Sequence, residues 1–164
     1  NLSVYQLTNP NFVQQVEEVL KKTGLSPHDL EFEITESATS VYVDNVVGIL
    51  SKLKELGVTI SIDDFGTEYS SLSRLKYLPI DRIKVDMQFV HGIEGSEKDQ
   101  AITKVIISLA KSMNLKVIAE GVETEVQYKF LSQRLCDEVQ GYYFYKPMPA
   151  EEIERVLLHE KNTK

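Results

Sequence analysis

Short stretches in which apolar and polar residues alternate are separated, along this 164-residue chain, by longer ones in which apolar residues recur at helical spacing. Leu30 to Thr35 (LEFEIT) sets Glu31, Glu33 and Thr35 against Phe32 and Ile34, the two-residue period of a strand with one apolar face. Val58 to Ile62 (VTISI) sets Thr59 and Ser61, with Asp63 beyond, against Val58, Ile60 and Ile62. Arg82 to Val85, Lys116 to Ala119 and Val139 to Phe144 also read as strands. Between them, Phe12, Val13, Val16, Val19 and Leu20 form a helical stripe, with Asn9 as the cap, Pro10 at the first helical position and Gly24 at the end. A second stripe runs from Val43 to Leu56 and closes at Gly57. Further helices are expected over Ser71 to Leu78, Ile102 to Met113, Thr124 to Leu135, and from Pro149 to about Leu158. Glu94 to Gln100 (EGSEKDQ) is polar throughout and reads as a loop.

Strand and helix alternate from end to end, which predicts an α/β fold on a parallel sheet. An open doubly wound sheet and a closed barrel both satisfy that order. No GxGxxG fingerprint follows any strand, which weakens the nucleotide-binding doubly wound form. The polar residues decide further. Glu33 and Glu36, Asp63 and Asp64, Lys84 and Asp86, and Glu120 and Glu123 stand at the C-terminal ends of successive strands, Gln140 lies in the last one, and Asn1 opens the chain. An open sheet gathers ligand residues at one switch point, whereas a ring of parallel strands aims every tip at one mouth. This favours a (β/α)8 TIM-type barrel, here incomplete, with the open sheet kept as the alternative on the residues alone. About the last six βα units are visible, and about 75–85 residues would precede them in a barrel of typical size.

Net charge and cysteine content narrow the partners. At −7 the chain has no general field to attract DNA or an anionic membrane. A single cysteine, Cys136, forms no internal disulfide. Neither a membrane-length apolar run nor a signal peptide is present, so the expected location is cytoplasmic, with segments outside this stretch free to anchor the protein.

Carboxylates crowded at one mouth repel each other, and a divalent cation removes the conflict. His28, His91 and His159 lie away from the strand tips, so the donor set is oxygen-rich and favours Mg²⁺ or Mn²⁺ over Zn²⁺. Adjacent Asp63 and Asp64 could reach two metals, as in-line attack at phosphorus uses, and Lys84 could orient a water or hold phosphate charge. Each signal also has a plain reading. Asp63-Asp64 before Phe65-Gly66 is a common turn, Lys84 with Asp86 a surface ion pair, and Glu31, Glu33 and Glu36 a solvated edge. Tyr142, Tyr143, Phe144 and Tyr145 read as core rather than as a base-stacking platform, and the histidines as plain surface residues. Joint placement at successive strand tips is what lifts the functional reading.

The stretches NLS, EITES, DDFGTEYSSL, LPIDRIKVD, AEGVET and QGYYFYKPMP closely resemble the EAL family of bacterial cyclic di-GMP phosphodiesterases, which have a (β/α)8 barrel. The resemblance covers the whole chain and implies its C-terminal portion of the domain, without the first strands that carry the Glu-Ala-Leu motif. It implies Asn1, Glu33 and Asp63 as ligands of a first metal and Asp64 of a second, Lys84 and Glu120 as the pair handling the attacking water, and Glu120 also near metal. Gln140, Glu123 and Asp86 resemble substrate-side or supporting residues, and Glu36 the glutamate that anchors the loop Phe65 to Leu72, which couples site and dimer interface in the family. The implied reaction is metal-dependent hydrolysis of cyclic di-GMP to linear pGpG with two Mg²⁺ or Mn²⁺ ions. A homodimer is implied too, and a diguanylate cyclase or sensor domain elsewhere in the full protein.

Two departures qualify this. The Glu-Ala-Leu motif is absent, so little or no turnover is expected of the 164 residues alone. Glu68 stands where the family usually has glycine (DFGTGYSS), which is expected to weaken loop coupling or activity. The alternative is a catalytically weak EAL module acting as a cyclic di-GMP receptor or protein-interaction domain. Keeping both Lys84 and Glu120 argues against it, since a receptor needs no water-activating pair. A carboxylate-pair glycosidase on a barrel is the third class, and the excess of acids plus Lys84 fits metal–phosphate chemistry better.

Overall fold

A computed structural model describes residues 1–40, 43–67 and 75–161. Among them are β1 (Glu31–Thr35), β2 (Thr59–Phe65), β3 (Arg82–Val85), β4 (Lys116–Ala119) and β5 (Glu138–Val139). The α-helices are α1 (Val4–Leu7), α2 (Phe12–Thr23), α3 (Val43–Leu56), α4 (Met87–His91), α5 (Glu97–Ser112), α6 (Glu125–Ser132) and α7 (Ala150–Lys161). Every strand pair is parallel, and the spatial order is the chain order, β1-β2-β3-β4-β5. Leu2 adds an isolated parallel bridge to Ile34 on the free side of β1. Strand order that follows chain order has no switch point, so the doubly wound alternative is excluded.

The alternation read from the sequence sorts the two faces. Ile34, Ile60, Ile62, Ile83, Val85, Val117 and Ala119 are buried beneath the helices, joined by Val46, Leu50 and Leu53 of α3 and Phe12, Val16 and Leu20 of α2. Glu31 and Glu33, Ser61 and Asp63, and Arg82 and Lys84 share the opposite face. This face is concave. β1 and β5 lie four strand spacings apart, about 19 Å on a flat sheet. Yet Nη1 of Arg82, on the middle strand, is 3.2 Å from Oε2 of Glu31 and 3.1 Å from Oε2 of Glu138. Only a sheet curled toward a barrel brings both edges to one atom.

The N-terminal ends of the strands carry a repeated clamp. Lys54 donates to both oxygens of Asp81 at 2.8 and 2.7 Å, and Asp81 accepts the N–H of Ile60 at 2.9 Å. Lys111 donates to Asp137 at 2.5 Å, and Asp137 accepts the N–H of Val117 at 2.7 Å. Each lysine stands six residues before the strand amide its aspartate receives. Hydrogen bonding and the charge of Lys111 hold the Asp137 carboxyl below the usual aspartate value, although burial acts first and in the opposite sense.

Several boundaries differ from the sequence expectation. α2 begins at Phe12, not at Pro10, because the Asn9 side chain accepts the Asn11 N–H and closes a turn first. The EGSEKDQ stretch is not all loop. Ser96 caps α5, accepting the Asp99 N–H at 3.2 Å, and a polar first turn hid the helix start. The last strand stops at Val139. At Gly141 the chain passes so close to Val122 that a Cβ would lie 2.2 Å from its carbonyl oxygen, and the next residues fold back, with Tyr143 donating to Val122. The expected helix over Ser71 to Leu78 falls largely outside the described residues, as does Glu68.

Candidate active site

Lys84 is the centre of the strand tips. It is 5% exposed, and its ammonium lies 2.6 Å from Glu33 of β1, 3.2 Å from Asp63 of β2 and 2.7 Å from Glu120 just beyond β4. Burial opposes its charge. Hydrogen bonds to Glu120 and Glu33 and the fields of Glu120 and Asp63 outweigh that and raise its pKa above the usual lysine value. Lys84 is therefore a fixed cation at neutral pH. The surface pair with Asp86 is not formed, because the tight turn into α4 uses Asp86 as its cap, accepting the Gln88 N–H at 2.7 Å.

Consecutive strand residues normally face opposite sides, which would separate Asp63 from Asp64. Here the β2–β3 register shifts between Ile62 and Phe65, and Asp64 takes φ 55°. The irregularity turns Asp64 back toward its neighbour, so that ligand oxygens of Asp63, Asp64 and Glu120 all lie within 4.8 Å of one another. Asp64 is itself exposed; what desolvation it has, then Asp63, Asp86 and Glu120, push its carboxyl above its usual value. An arrangement of crowded carboxylates that offers only hard oxygen donors fits a divalent metal cation.

The other expected residues fall as follows. Glu36 is buried and accepts the Gly66 N–H at 3.0 Å, tying the start of the loop after β2 to the end of β1. Glu33, Glu36 and Glu31 are thus not a solvated edge. Gln140 donates its N–H to Ala119, accepts from Val122, and borders a cavity of about 470 Å³ with Glu33 and Lys84. Asn1 is exposed, and the next residue, Leu2, docks on β1 by donating to the Glu33 carbonyl at 2.7 Å. Glu123 stands apart from the Lys84 cluster, half-exposed, with its N–H donated to Gln127.

His91 is exposed, as expected of a surface histidine, with its Nε2 3.9 Å from Glu123 Oε1. Gly121, at φ 69°, packs against it, and a Cβ there would lie 2.7 Å from Met87 and 3.1 Å from His91 Nε2. Two features differ from the expectation or escaped it. Tyr142, Tyr143, Phe144 and Tyr145 are not core. All four are exposed; Tyr143 stacks on Tyr128, and Phe144 and Tyr145 border the cavity. Beneath Lys84 lies an ionic layer, Glu31–Arg82–Glu138, and the same two-residue period that aligned Lys84 with Asp86 would have flagged Arg82. A larger groove of about 650 Å³, between α2 and β1, is lined almost entirely by apolar residues and has none of this chemistry.

Comparison with known proteins agrees with this geometry. Residues 1–147 match the EAL domain family model. Cyclic di-GMP phosphodiesterase NbdA of Pseudomonas aeruginosa is 43% identical over 157 residues, 96% of this chain and 20% of NbdA. The solved structure of the PaMucR phosphodiesterase in complex with c-di-GMP has a TM-score of 0.89 at 42% identity, covering 93% of this chain and 62% of that one. The EAL domain of Mycobacterium smegmatis DcpA gives 0.91 at 37% identity, covering 97% and 71%. The chain spans about a fifth of the length of the curated relatives it matches. A singly wound, inward-curled sheet with acids at its tips, matched from the first residue to the 147th, has one assignment: the chain belongs to the EAL domain family, whose fold is TIM-barrel-like.

Proposed function

We propose that this chain is part of a phosphodiesterase that hydrolyses cyclic di-GMP to linear pGpG with two divalent cations, Mg²⁺ or Mn²⁺, in bacterial second-messenger signalling. The observation that carries the reading is the convergence of Glu33, Asp63 and Glu120 on Lys84 with Asp64 turned in beside them. Asp63, Asp64 and Glu120, together with Glu33 and Asn1, would hold the cations. When bound, these supply charge neutralisation at the phosphodiester and acidify water.

The chain's own residues do the rest. Lys84, held as an ammonium, donates to the attacking water and keeps it in place. Glu120, 2.7 Å from that ammonium, accepts the water's proton as the water oxygen bonds to phosphorus; the P–O3′ bond breaks, and the departing 3′ oxygen takes up a proton from solvent, leaving linear pGpG. Gln140 orients the nucleotide from the cavity wall. Glu123 and Asp86 support substrate and site from the rim, and Glu36 fixes the loop that begins at Phe65. The same reading makes the working protein a cytoplasmic homodimer carrying a diguanylate cyclase or sensor domain elsewhere. Among the described residues no helix is long and apolar enough to cross a membrane.

The test is pGpG formation from cyclic di-GMP by the full-length protein, with Mg²⁺ or Mn²⁺ and then with excess chelator. Turnover abolished by the chelator is expected. Tight binding without turnover would make the protein a receptor, and turnover that survives the chelator would remove the metal from the reading.

A further inference from the structure

We propose that Arg82 is a positioning residue for the reaction, setting the spacing of Glu33 and Gln140 around Lys84 from one layer below. The inference rests on the phosphodiesterase reading above and deepens it.

Arg82 stands two residues before Lys84 on β3 and shares its face. Its Nη1 joins Glu31 of β1 and Glu138 of β5 at once. One step up the same faces stand Glu33 and Gln140, with Lys84 between them at 2.6 Å from Glu33. The lower layer thus spans the three strands that supply the upper one. Alternate strands contributing whole layers is the packing rule of parallel barrels. Here Ser61 of β2 and Ile118 of β4, both buried, separate the two ionic layers.

Strand β5 gives the argument its force. It is two residues long and pairs only at Ile118↔Glu138 and Ala119↔Val139. Backbone bonds from Asp137 to Val117, from Gln140 to Ala119 and from Val122 to Gln140 fix this segment against β4. They do not set its distance from β1 across the concave face, and Arg82–Glu138, with Arg82–Glu31, is the tie that spans it. On β1 the same guanidinium nitrogen holds Glu31. Arg82 lines the floor of the cavity that Glu33, Lys84 and Gln140 border, and its ion pairs are with Glu31 and Glu138 rather than with Asp63, Asp64 or Glu120, so it acts through the residues above it. Its long, always-charged guanidinium sets one nitrogen between two carboxylates, and the rigid plane fixes the direction of that nitrogen more closely than a lysine ammonium would.

The experiment compares Arg82→Met, Arg82→Lys and Glu138→Gln in the full-length protein by steady-state kinetics with cyclic di-GMP, and by Mn²⁺ titration followed by electron paramagnetic resonance. Arg82→Met is expected to lower kcat by about tenfold to a hundredfold, the scale of a small misplacement of catalytic groups. KM should stay within about twofold and Mn²⁺ affinity should fall at least threefold, because Glu33 is a proposed ligand and Gln140 is not. Arg82→Lys should fall between. A role in stability alone would lower the melting temperature and leave the kcat of folded protein unchanged. Folded Arg82→Met with kcat within twofold of the unsubstituted protein overturns the inference. If that variant fails to fold, Glu138→Gln decides, with a kcat loss of about threefold or more supporting the inference and none overturning it. No turnover by the unsubstituted protein would sink the phosphodiesterase reading instead, and the Mn²⁺ titration alone would then judge Arg82, with unchanged affinity overturning its role.

Discussion

The two ends of one sheet treat charge in opposite ways. At the N-terminal ends each lysine has one aspartate, and each aspartate also receives a strand amide: Lys54–Asp81–Ile60 and Lys111–Asp137–Val117. At the C-terminal ends one lysine faces Glu33, Asp63 and Glu120, with Asp64 pressed against them. The first arrangement leaves no charge unanswered and lowers the Asp137 pKa. The second leaves anionic charge in excess and raises that of Asp64. Folding alone selects the balanced form, since uncompensated buried charge is destabilising. Under the proposed function, the imbalance at the upper end marks where cations would complete the charge, in keeping with the separation of stability and catalysis between barrel faces.

The strongest way to break this contrast is to remove its central cation. Lys84→Met should lower kcat by about 10³-fold, within the range for a lost proton-handling partner. It should also destabilise the chelated protein by about 3 kcal/mol, because three carboxylates lose their common counter-charge. Mg²⁺ or Mn²⁺ should restore part of that stability without restoring turnover. Thermal melts of both proteins, with metal and with chelator, check this. Equal metal stabilisation of the two would mean that the upper end is not short of positive charge.

A smaller effect is expected where the upper end meets its loop. Glu36 holds the Gly66 N–H from 30 residues away, just past the bulge that turns Asp64 inward. Glu36→Gln keeps an acceptor of nearly the same shape but loses the charge, and should lower kcat about tenfold by loosening that turn. Single-turnover kinetics would show the loss in the chemical step. A loss in substrate binding alone would mean that Glu36 serves the rim rather than the cluster.

How much of this was legible beforehand follows from which physical signal each feature carries. The strands were legible because a two-residue period is local, and β3 and β4 fall where expected. The convergence of Glu33, Asp63, Lys84 and Glu120 was legible too, since successive strand ends can share a centre only on a curled sheet. Asp64 was different. That it shares a side with Asp63 depends on a register shift against β3, and register is a property of two strands. Helix α4 escapes the sequence because it has five residues, too few to show a helical period. The aromatic run from Tyr142 to Tyr145 was misassigned because an alternation-free apolar stretch reads as core, and only the close pass of Gly141 against Val122 ends the strand before it.

The mildest test belongs to the lower end, where the contrast predicts a change in stability and none in turnover. Asp137 accepts from the Lys111 ammonium and the Val117 amide. Asp137→Asn keeps an acceptor for the amide and loses the charged pair, at a cost of about 1.5 kcal/mol, or roughly 3–6 °C in melting temperature. Its sign with pH is fixed by the direction of the shift. The folded pKa lies below the unfolded one, so the unfolded chain takes up the proton first as pH falls. The stabilisation is then complete above the ordinary aspartate value and is lost as pH drops through the folded one. The difference between the original protein and Asp137→Asn should therefore be constant from neutral pH down to the aspartate range and vanish below it, with kcat at neutral pH the same for both. Denaturant melts at stepped pH measure the first part and pGpG formation the second. A fall in kcat without a fall in stability would show that the lower end is coupled to catalysis, and the division of labour between the two ends would fail.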